Sequence, residues 1–480
     1  MERKFLMAQY PRIASLKTPE VFQARLDELK IEIPFDNQME TGAKAPLAQP
    51  LEIHGKVIGN RCCVLPMEGW DCELDGNPSE LTFRRWQNFG RSGAKFIWGG
   101  EAAAVRHDGR SNTCQLMISE KTIGNIAKLR EALVKSHIES MGSDKGLYIG
   151  LQLTHSGRFS KPNDDHLMES RVAYRHPLLE KRYAFNDKCH VMTDTDLREL
   201  IQDYIKAVAL AKKAGFDFVD VKHCHGYLAH ELLSAVDRKG DFGGNFENRI
   251  RFFREIVEGI NAEVPGMEIG VRLSIYDYIP FTKDAEGKGT PEKWEGRYPY
   301  AFGGDGTGIG YDLTEPLKFI DLMASYGINL LCATISSPYY VPHLQRPAMF
   351  PPSDGYQLLE DPLIEVAKHI EIVRKVKELR PQMVIAGSGL TYLQEWFPQV
   401  VQAAVRKNYM DFAGMGRMVL AYPEMYRDIL LGNELQKKKI CRTFSECTTA
   451  PRKGLVSGCY PLDAFYKGLP DWARLKEMKK

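Results

Sequence analysis

From residue 57 onward the chain alternates between short runs of consecutive apolar residues and longer stretches in which apolar positions recur every three or four residues. The short runs suit strands buried on both faces, as in a parallel sheet, and the longer stretches suit helices packed against it. Eight runs stand out, at residues 57–65, 94–98, 147–153, 216–222, 268–274, 329–335, 383–386 and 410–413. Between them lie helical segments such as TDLRELIQDYIKAVALAKKAG, which ends on a glycine, and EVAKHIEIVRKVKELR, which stops before a proline. Eight strand–helix repeats in succession predict an α/β fold, a (β/α)8 TIM barrel, with an open doubly wound sheet as second choice.

The barrel is expected over residues 56–430, after an N-terminal extension (1–55) with one helical pattern, PEVFQARLDELK, and before a C-terminal tail (431–480). Three strand-to-helix connections are long, at 156–192, 275–313 and 336–360. In a barrel these emerge at the C-terminal face, where active sites are built. They carry Tyr276, Tyr278, Phe281, Tyr339, Tyr340 and His343, enough aromatic surface to wall a pocket, although loop packing suffices for most of them.

Composition narrows the function classes. With 44% hydrophobic residues in 480, one large core is affordable, and 64 Lys plus Arg against 62 Asp plus Glu gives no reason to expect nucleic acid or an anionic membrane as partner. The opening MERKFLMAQYPRIASL lacks the apolar core of a signal peptide, and no later stretch reaches the roughly 18 uncharged apolar residues of a bilayer span, so a cytoplasmic protein is expected. Ten cysteines are sparse for this length and read as thiols, metal ligands or redox groups rather than a disulfide framework.

The polar residues at the strand ends carry the candidate chemistry. QLTHSGR places Gln152, His155 and Arg158 past the third strand, and a Gln amide offers a donor and an acceptor to a heterocycle edge. The fourth strand runs into VKHCHGY, bringing Lys222, His225 and Tyr227 to the barrel mouth. A Lys and a His can donate to a developing oxyanion, and a Tyr hydroxyl can deliver a proton; a solvated lysine and a satisfied core histidine are the plain alternatives. Arg272 lies inside the apolar run EIGVRLS and needs an anionic partner, a cofactor or a buried carboxylate. VIAGSGL and FAGMGRMVL supply Gly387, Ser388, Gly389, Gly416 and Arg417 after the seventh and eighth strands, where barrels commonly seat a phosphate.

Taken in order, GNRCCVLPM, GGEAAAV with Gly109-Arg110, QLTHSGR, GFDFVDVKHCHGYL, GGNFENRIRF, VRLS and the GSG and GMGR loops resemble the old yellow enzyme family, the NADH:flavin oxidoreductases, over about residues 45–430. The resemblance implies FMN bound without a dinucleotide fold, and no GxGxxG follows a strand. It implies that Pro66, Met67, Glu68 and Gly100 lie along the flavin and that Gln152 and Arg272 hold its ring. Gly387, Ser388, Gly389, Gly416 and Arg417 would seat the phosphate, Tyr227 would donate a proton, and His225 would bind substrate. Two positions depart from the family. Lys222 replaces the first histidine of the substrate-binding pair, and Glu68 stands where relatives carry a small residue. A lysine there polarises a substrate oxygen, favours a carboxylate or phenolate, or acts as a base when burial lowers its pKa; Glu68 pairs with it or turns away.

A branch of the family that oxidises N-methyl amines holds an iron–sulfur cluster after the barrel, on four cysteines. Here CRTFSECTTAPRKGLVSGC retains Cys441, Cys447 and Cys459 with Phe444 in the second place, so a remnant of leftover thiols, without a cluster, is expected. The implied function is FMN-dependent reduction of an activated C=C bond of a small molecule, with NAD(P)H as hydride donor. The alternatives are oxidation, by N-demethylation or desaturation, and a non-catalytic flavin-binding subunit. A homo-oligomer is expected, and an electron-transfer protein is the other candidate donor.

Overall fold

The structure is a computed structural model and describes residues 10–478. Residues 1–9, the start of the expected extension and of the segment read for a signal peptide, lie outside the described residues. Eight parallel barrel strands follow in chain order: β1 (Cys62–Val64), β2 (Phe96–Ile97), β3 (Tyr148–Thr154), β4 (Phe218–Val221), β5 (Glu268–Ser274), β6 (Leu330–Thr334), β7 (Val384–Ala386) and β8 (Ala413–Met415). Each neighbours the next in the sheet, β8 pairs with β1, and a parallel bridge between Ala386 and Phe412 closes the ring, so the fold is the expected (β/α)8 barrel.

Local chemistry explains where the elements differ from the sequence pattern. The run at 57–65 is two elements. Lys56–Ile58 forms an antiparallel hairpin with Leu51–Ile53, and β1 begins only at Cys62. Asn60 makes the break: its side chain accepts from the backbone of Cys62 and Lys95 and donates to Gly93 O, so it serves the starts of two barrel strands instead of continuing one. The second strand is interrupted after Phe96–Ile97 and resumes at Ala102–Ala104, which also pairs with β3. The eighth strand starts at Ala413, later than the apolar run, because Asp411 and Phe412 both donate to Ile385 O at the closure.

The lower barrel is filled by aromatic rings. Phe96 lies within 4.7–5.8 Å, ring to ring, of Trp98, Tyr148, Phe218 and Phe412. Ile53 and Ile58 of the hairpin join this cluster from below. Such a plug leaves the C-terminal mouth as the place for a site. Capping boxes start two barrel helices, Ser79 with Thr82 and Thr193 with Asp196.

The flanking segments are tied to the barrel. Phe22 of helix Pro19–Leu29 stacks on Trp396 at 4.4 Å, and Arg25 pairs with Asp361 at 2.6 Å. The tail builds a small core of its own from Ala450, Leu455, Tyr460, Tyr466 and Leu475, and docks through Arg84–Asp463 and Trp70 N–H to Ser457 Oγ. Among the described residues no helix is long and apolar enough to cross a membrane.

Candidate active site

A cavity of about 260 Å³ opens at the C-terminal mouth. It gathers Pro66, Met67, Glu68, Gln152, Lys222, His225, Tyr227, Arg272, Gly389, Gly416 and Arg417, residues that are hundreds of positions apart in the chain. Barrel geometry explains this convergence, since parallel strands all end on one rim.

Asp220, an acid in the apolar β4, sets the floor. Its carboxylate accepts from Trp98 Nε1 at 2.8 Å, Gln152 Nε2 at 2.6 Å and Arg272 N at 2.7 Å. Burial pushes its carboxyl pKa up while these donors oppose the shift. Because the Gln152 nitrogen must face that carboxylate, the amide is oriented with its oxygen turned away from Asp220. Arg272 has no carboxylate on its guanidinium: Nη1 donates to Pro66 O at 3.2 Å and Nε finds no partner among the described residues. Its requirement for an acceptor is left to whatever fills the cavity.

After β4 the chain turns through two consecutive left-handed residues, His225 (φ +67°) and Gly226 (φ +77°). A Cβ at Gly226 would sit 2.7 Å from the Tyr340 ring, so only glycine fits there. This turn lets Lys222, His225 and Tyr227 all reach the cavity. His225 Nε2 is 2.9 Å from the Gln345 amide nitrogen, and burial together with the Arg272 and Lys222 cations holds its pKa well below the usual imidazole range, so the ring is neutral. Lys222 is buried, its Nζ lies 3.6 Å from the centre of the Tyr227 ring, and among the described residues it makes no hydrogen bond. Desolvation lowers its pKa and the Glu68 charge partly restores it.

Glu68 turns inward. Arg85 pairs with Asp71 and Glu101, and Gly69 N–H donates to Glu101, which fixes the loop that carries it. Its carboxylate accepts from Tyr227 Oη at 2.7 and 2.9 Å and from Ser111 Oγ, while Lys222 Nζ stays 3.9 Å away. The partner of Glu68 is thus chiefly Tyr227. Tyr227 Oη also lies 2.8 Å from Tyr339 Oη, and burial followed by the Glu68 charge pushes the Tyr227 pKa far up.

Another part of the lining is cationic. Arg417 donates to Pro347 O at 2.9 Å but leaves Nη1 without a partner, and Arg346 reaches Thr448 Oγ1 but leaves Nη2 without one. Burial and the neighbouring Arg417 and Arg452 charges push the Arg346 pKa down to about 9. Gly389 (φ +81°) also lines the cavity, and a Cβ there would meet the His369 ring at 2.5 Å. The tail supplies the roof with Cys447, Thr448, Pro451, Arg452, Ser457 and Tyr466.

Several expected residues stand outside the cavity lining. Gly100 (φ +48°) gives room to the Trp86 ring, Gly387 N–H donates to Phe412 O at the barrel closure, and Ser388 Oγ donates to Ala333 O. His155 faces Asp108 at 3.4 Å, Arg158 is paired with Glu231, and Arg110 binds backbone carbonyls. Of the loop aromatics, Tyr339 reaches the cavity, whereas Tyr340 is bonded to Asp277. Cys447 lines the cavity, Cys441 and Cys459 are buried, and Phe444 stacks on Phe350. Among the described residues no group of three or more His, Cys, Asp or Glu is placed to hold a metal ion. Sequence reasoning missed Arg346, Gln345 and the positioning role of Asp220; for Asp220 a charged residue in a buried strand was the available signal.

The sequence pattern of the NADH:flavin oxidoreductase / NADH oxidase family matches residues 46–289, just over half of the chain. The chain belongs to this family. An NADPH dehydrogenase of Geobacillus sp. (strain WCH70) is 32% identical over 244 residues, 49% of this chain and 64% of that enzyme. Solved structures share the fold at lower identity. A 2-naphthoyl-CoA reductase complexed with 2-naphthoyl-CoA aligns at TM-score 0.66 with 20% identity, over 89% of this chain and 58% of that one. An old yellow enzyme homologue from Zymomonas mobilis aligns at 0.55 with 19% identity, over 82% and 94%. The cavity of this family member fits flavin mononucleotide: two buried guanidiniums with unmet donors suit a phosphate, and the Gln152 amide and the unmet Arg272 Nε suit the polar edge of the ring.

Proposed function

We propose that the protein is an FMN-dependent ene-reductase that reduces the activated C=C bond of an α,β-unsaturated carbonyl or carboxylate with hydride from NAD(P)H. The supporting observation is Lys222, buried, 3.9 Å from Glu68 and making no hydrogen bond among the described residues, in one cavity with His225 and Tyr227. A buried cation in that state gains most from an anionic oxygen, so the carboxylate class is favoured over a neutral ketone.

Gln152 and Arg272 would hold the flavin ring along Pro66 and Met67, and Gly389, Gly416, Arg417 and Arg346 its phosphate. Bound FMN would supply two-electron hydride chemistry. The chain's own residues do the rest: Lys222 and His225 bind and polarise the substrate oxygen, and Tyr227 gives a proton to the α-carbon. The Tyr227–Glu68 bond favours one further reading, removal of a substrate proton by the same pair in desaturation.

The test is spectroscopic. Purified protein is expected to be yellow, to bleach with NAD(P)H without oxygen, and to recolour when an unsaturated carboxylate is added, yielding the saturated acid. Formaldehyde release from an N-methyl amine, or formation of the unsaturated acid from the saturated one, would move the assignment to oxidation. A colourless protein would remove the flavin reading.

A further inference from the structure

Glu68 is a charged group of the cavity that the reductive reading leaves without a task. The single proton of the Tyr227 hydroxyl is committed to its carboxylate, at 2.7 and 2.9 Å. Giving that proton to a substrate carbon from this state would leave a phenolate 2.7 Å from a carboxylate in a buried site. Like-charge repulsion and desolvation both oppose that product. The carboxyl is also the group that meets water: its side chain is 14% exposed, against 3% for Tyr227.

Resting on the ene-reductase reading, we propose that Glu68 is a positioning residue that recharges Tyr227, entering each turnover protonated and handing its proton to the Tyr227 oxygen as Tyr227 gives its own to the substrate. In the protonated state the Glu68 O–H donates to Tyr227 Oη, which frees the Tyr227 O–H for the cavity. A substrate that has gained a hydride at its β-carbon is an enolate held by Lys222 and His225. The Tyr227 O–H bond then breaks and the α-C–H bond forms with the enolate's electron pair. The Glu68 O–H bond breaks in turn, its proton restores the Tyr227 hydroxyl, and its electron pair stays on the carboxylate. No phenolate accumulates, Lys222 at 3.9 Å faces the new carboxylate, and a proton from water resets Glu68. The titratable and charged groups around Glu68 are Tyr227 and Lys222 after β4 and Tyr339 after β6, with Arg272 of β5 and His225 next to Lys222, and Arg85 with Asp71 and Glu101 against the adjoining Gly69; the Ser111 hydroxyl completes its contacts. Of the carboxyls, Glu68 is the one bonded to Tyr227.

The test compares reoxidation of the reduced holoenzyme by 2-cyclohexenone, which needs a proton on carbon, with reoxidation by ferricyanide, which does not. In the wild type the rate in H2O/D2O mixtures should bend, showing two protons in motion. In Glu68→Gln the enone-to-ferricyanide ratio should drop by about 100-fold and vary linearly with D2O. Glutamine still accepts the Tyr227 hydrogen bond, so a purely structural Glu68 would keep the ratio. In cofactor-free protein, Glu68→Gln should let the Tyr227 phenolate absorbance appear at lower pH, and Tyr227→Phe should remove that step. The comparison is run with 2-cyclohexenone or an unsaturated carboxylate, whichever the wild type reduces; a wild type that reduces neither overturns the functional reading and this inference with it. A wild type that reduces its acceptor with a linear isotope response, or a Glu68→Gln enzyme with the wild-type ratio, overturns this inference alone.

Discussion

The two ends of the cavity are built on opposite principles. At the Arg346–Arg417 end two guanidiniums are buried with unmet donors and, among the described residues, without an ion pair to a carboxylate. At the Glu68–Tyr227 end the side chains bond one another: carboxylate to phenol, phenol to phenol, hydroxyl to carboxylate. The first end is incomplete without an external dianion and so acts as a socket. The second is bonded within itself. Lys222 lies close enough to Glu68 to feel its charge and, among the described residues, makes no hydrogen bond.

Removing the socket should give the largest effect. Each charge-assisted hydrogen bond contributes roughly 1.5–3 kcal/mol, so R346M/R417M should weaken FMN binding by on the order of 10³-fold while leaving riboflavin binding nearly unchanged. Fluorescence titration with both flavins checks this, and an equal loss for the two would mean that the arginines only support the fold.

Lys222→Met comes next. The KM for an unsaturated carboxylate should rise about 50-fold, the range for deleting one partner of a buried charge pair, and a neutral enone should suffer less. Equal losses for both substrates would place Lys222 in the structure of the site rather than in anion recognition.

A pH series sharpens the same point without a mutation. Burial lowers the Lys222 pKa, so its charge is present below the lowered value and lost as pH rises through it, before the ordinary lysine range is reached. Affinity for the unsaturated carboxylate should therefore fall with rising pH in the alkaline range, while affinity for the neutral enone stays level. Parallel curves would break the distinction.

The smallest effect is expected at the edge of the proton-passing end. Tyr339→Phe removes one neutral hydrogen bond, worth about 0.5–1.5 kcal/mol, and should slow enone reoxidation by less than about 10-fold with FMN affinity intact. A loss as large as that of Tyr227→Phe would make Tyr339 an equal member of the relay.

Much of this was legible in the chain because parallel barrel strands are buried on both faces and so write themselves as apolar runs. The polar residues that end those runs then fall on one rim, which is why Gln152, Lys222, His225, Arg272, Gly389, Gly416 and Arg417 could be assembled as neighbours beforehand. The loop at 336–360 hid Arg346 and Gln345, since an irregular connection carries no periodicity from which to place a side chain. Glu68 was legible as an anomaly but its partner was not. The sequence offered pairing with Lys222 or turning away, and neither is the Tyr227 contact that the Arg85–Glu101 anchor imposes.

The chain by itself determined the barrel, the rim and the residue types that face each other across it, because burial pattern and strand direction follow from local composition. Only the tertiary structure decided which carboxylate meets which phenol, how far the lysine stands from both, and that the tail folds back to roof the site. Those outcomes depend on a few ångströms of loop placement, set by contacts between segments hundreds of residues apart, such as Trp70 with Ser457 and Arg346 with Thr448.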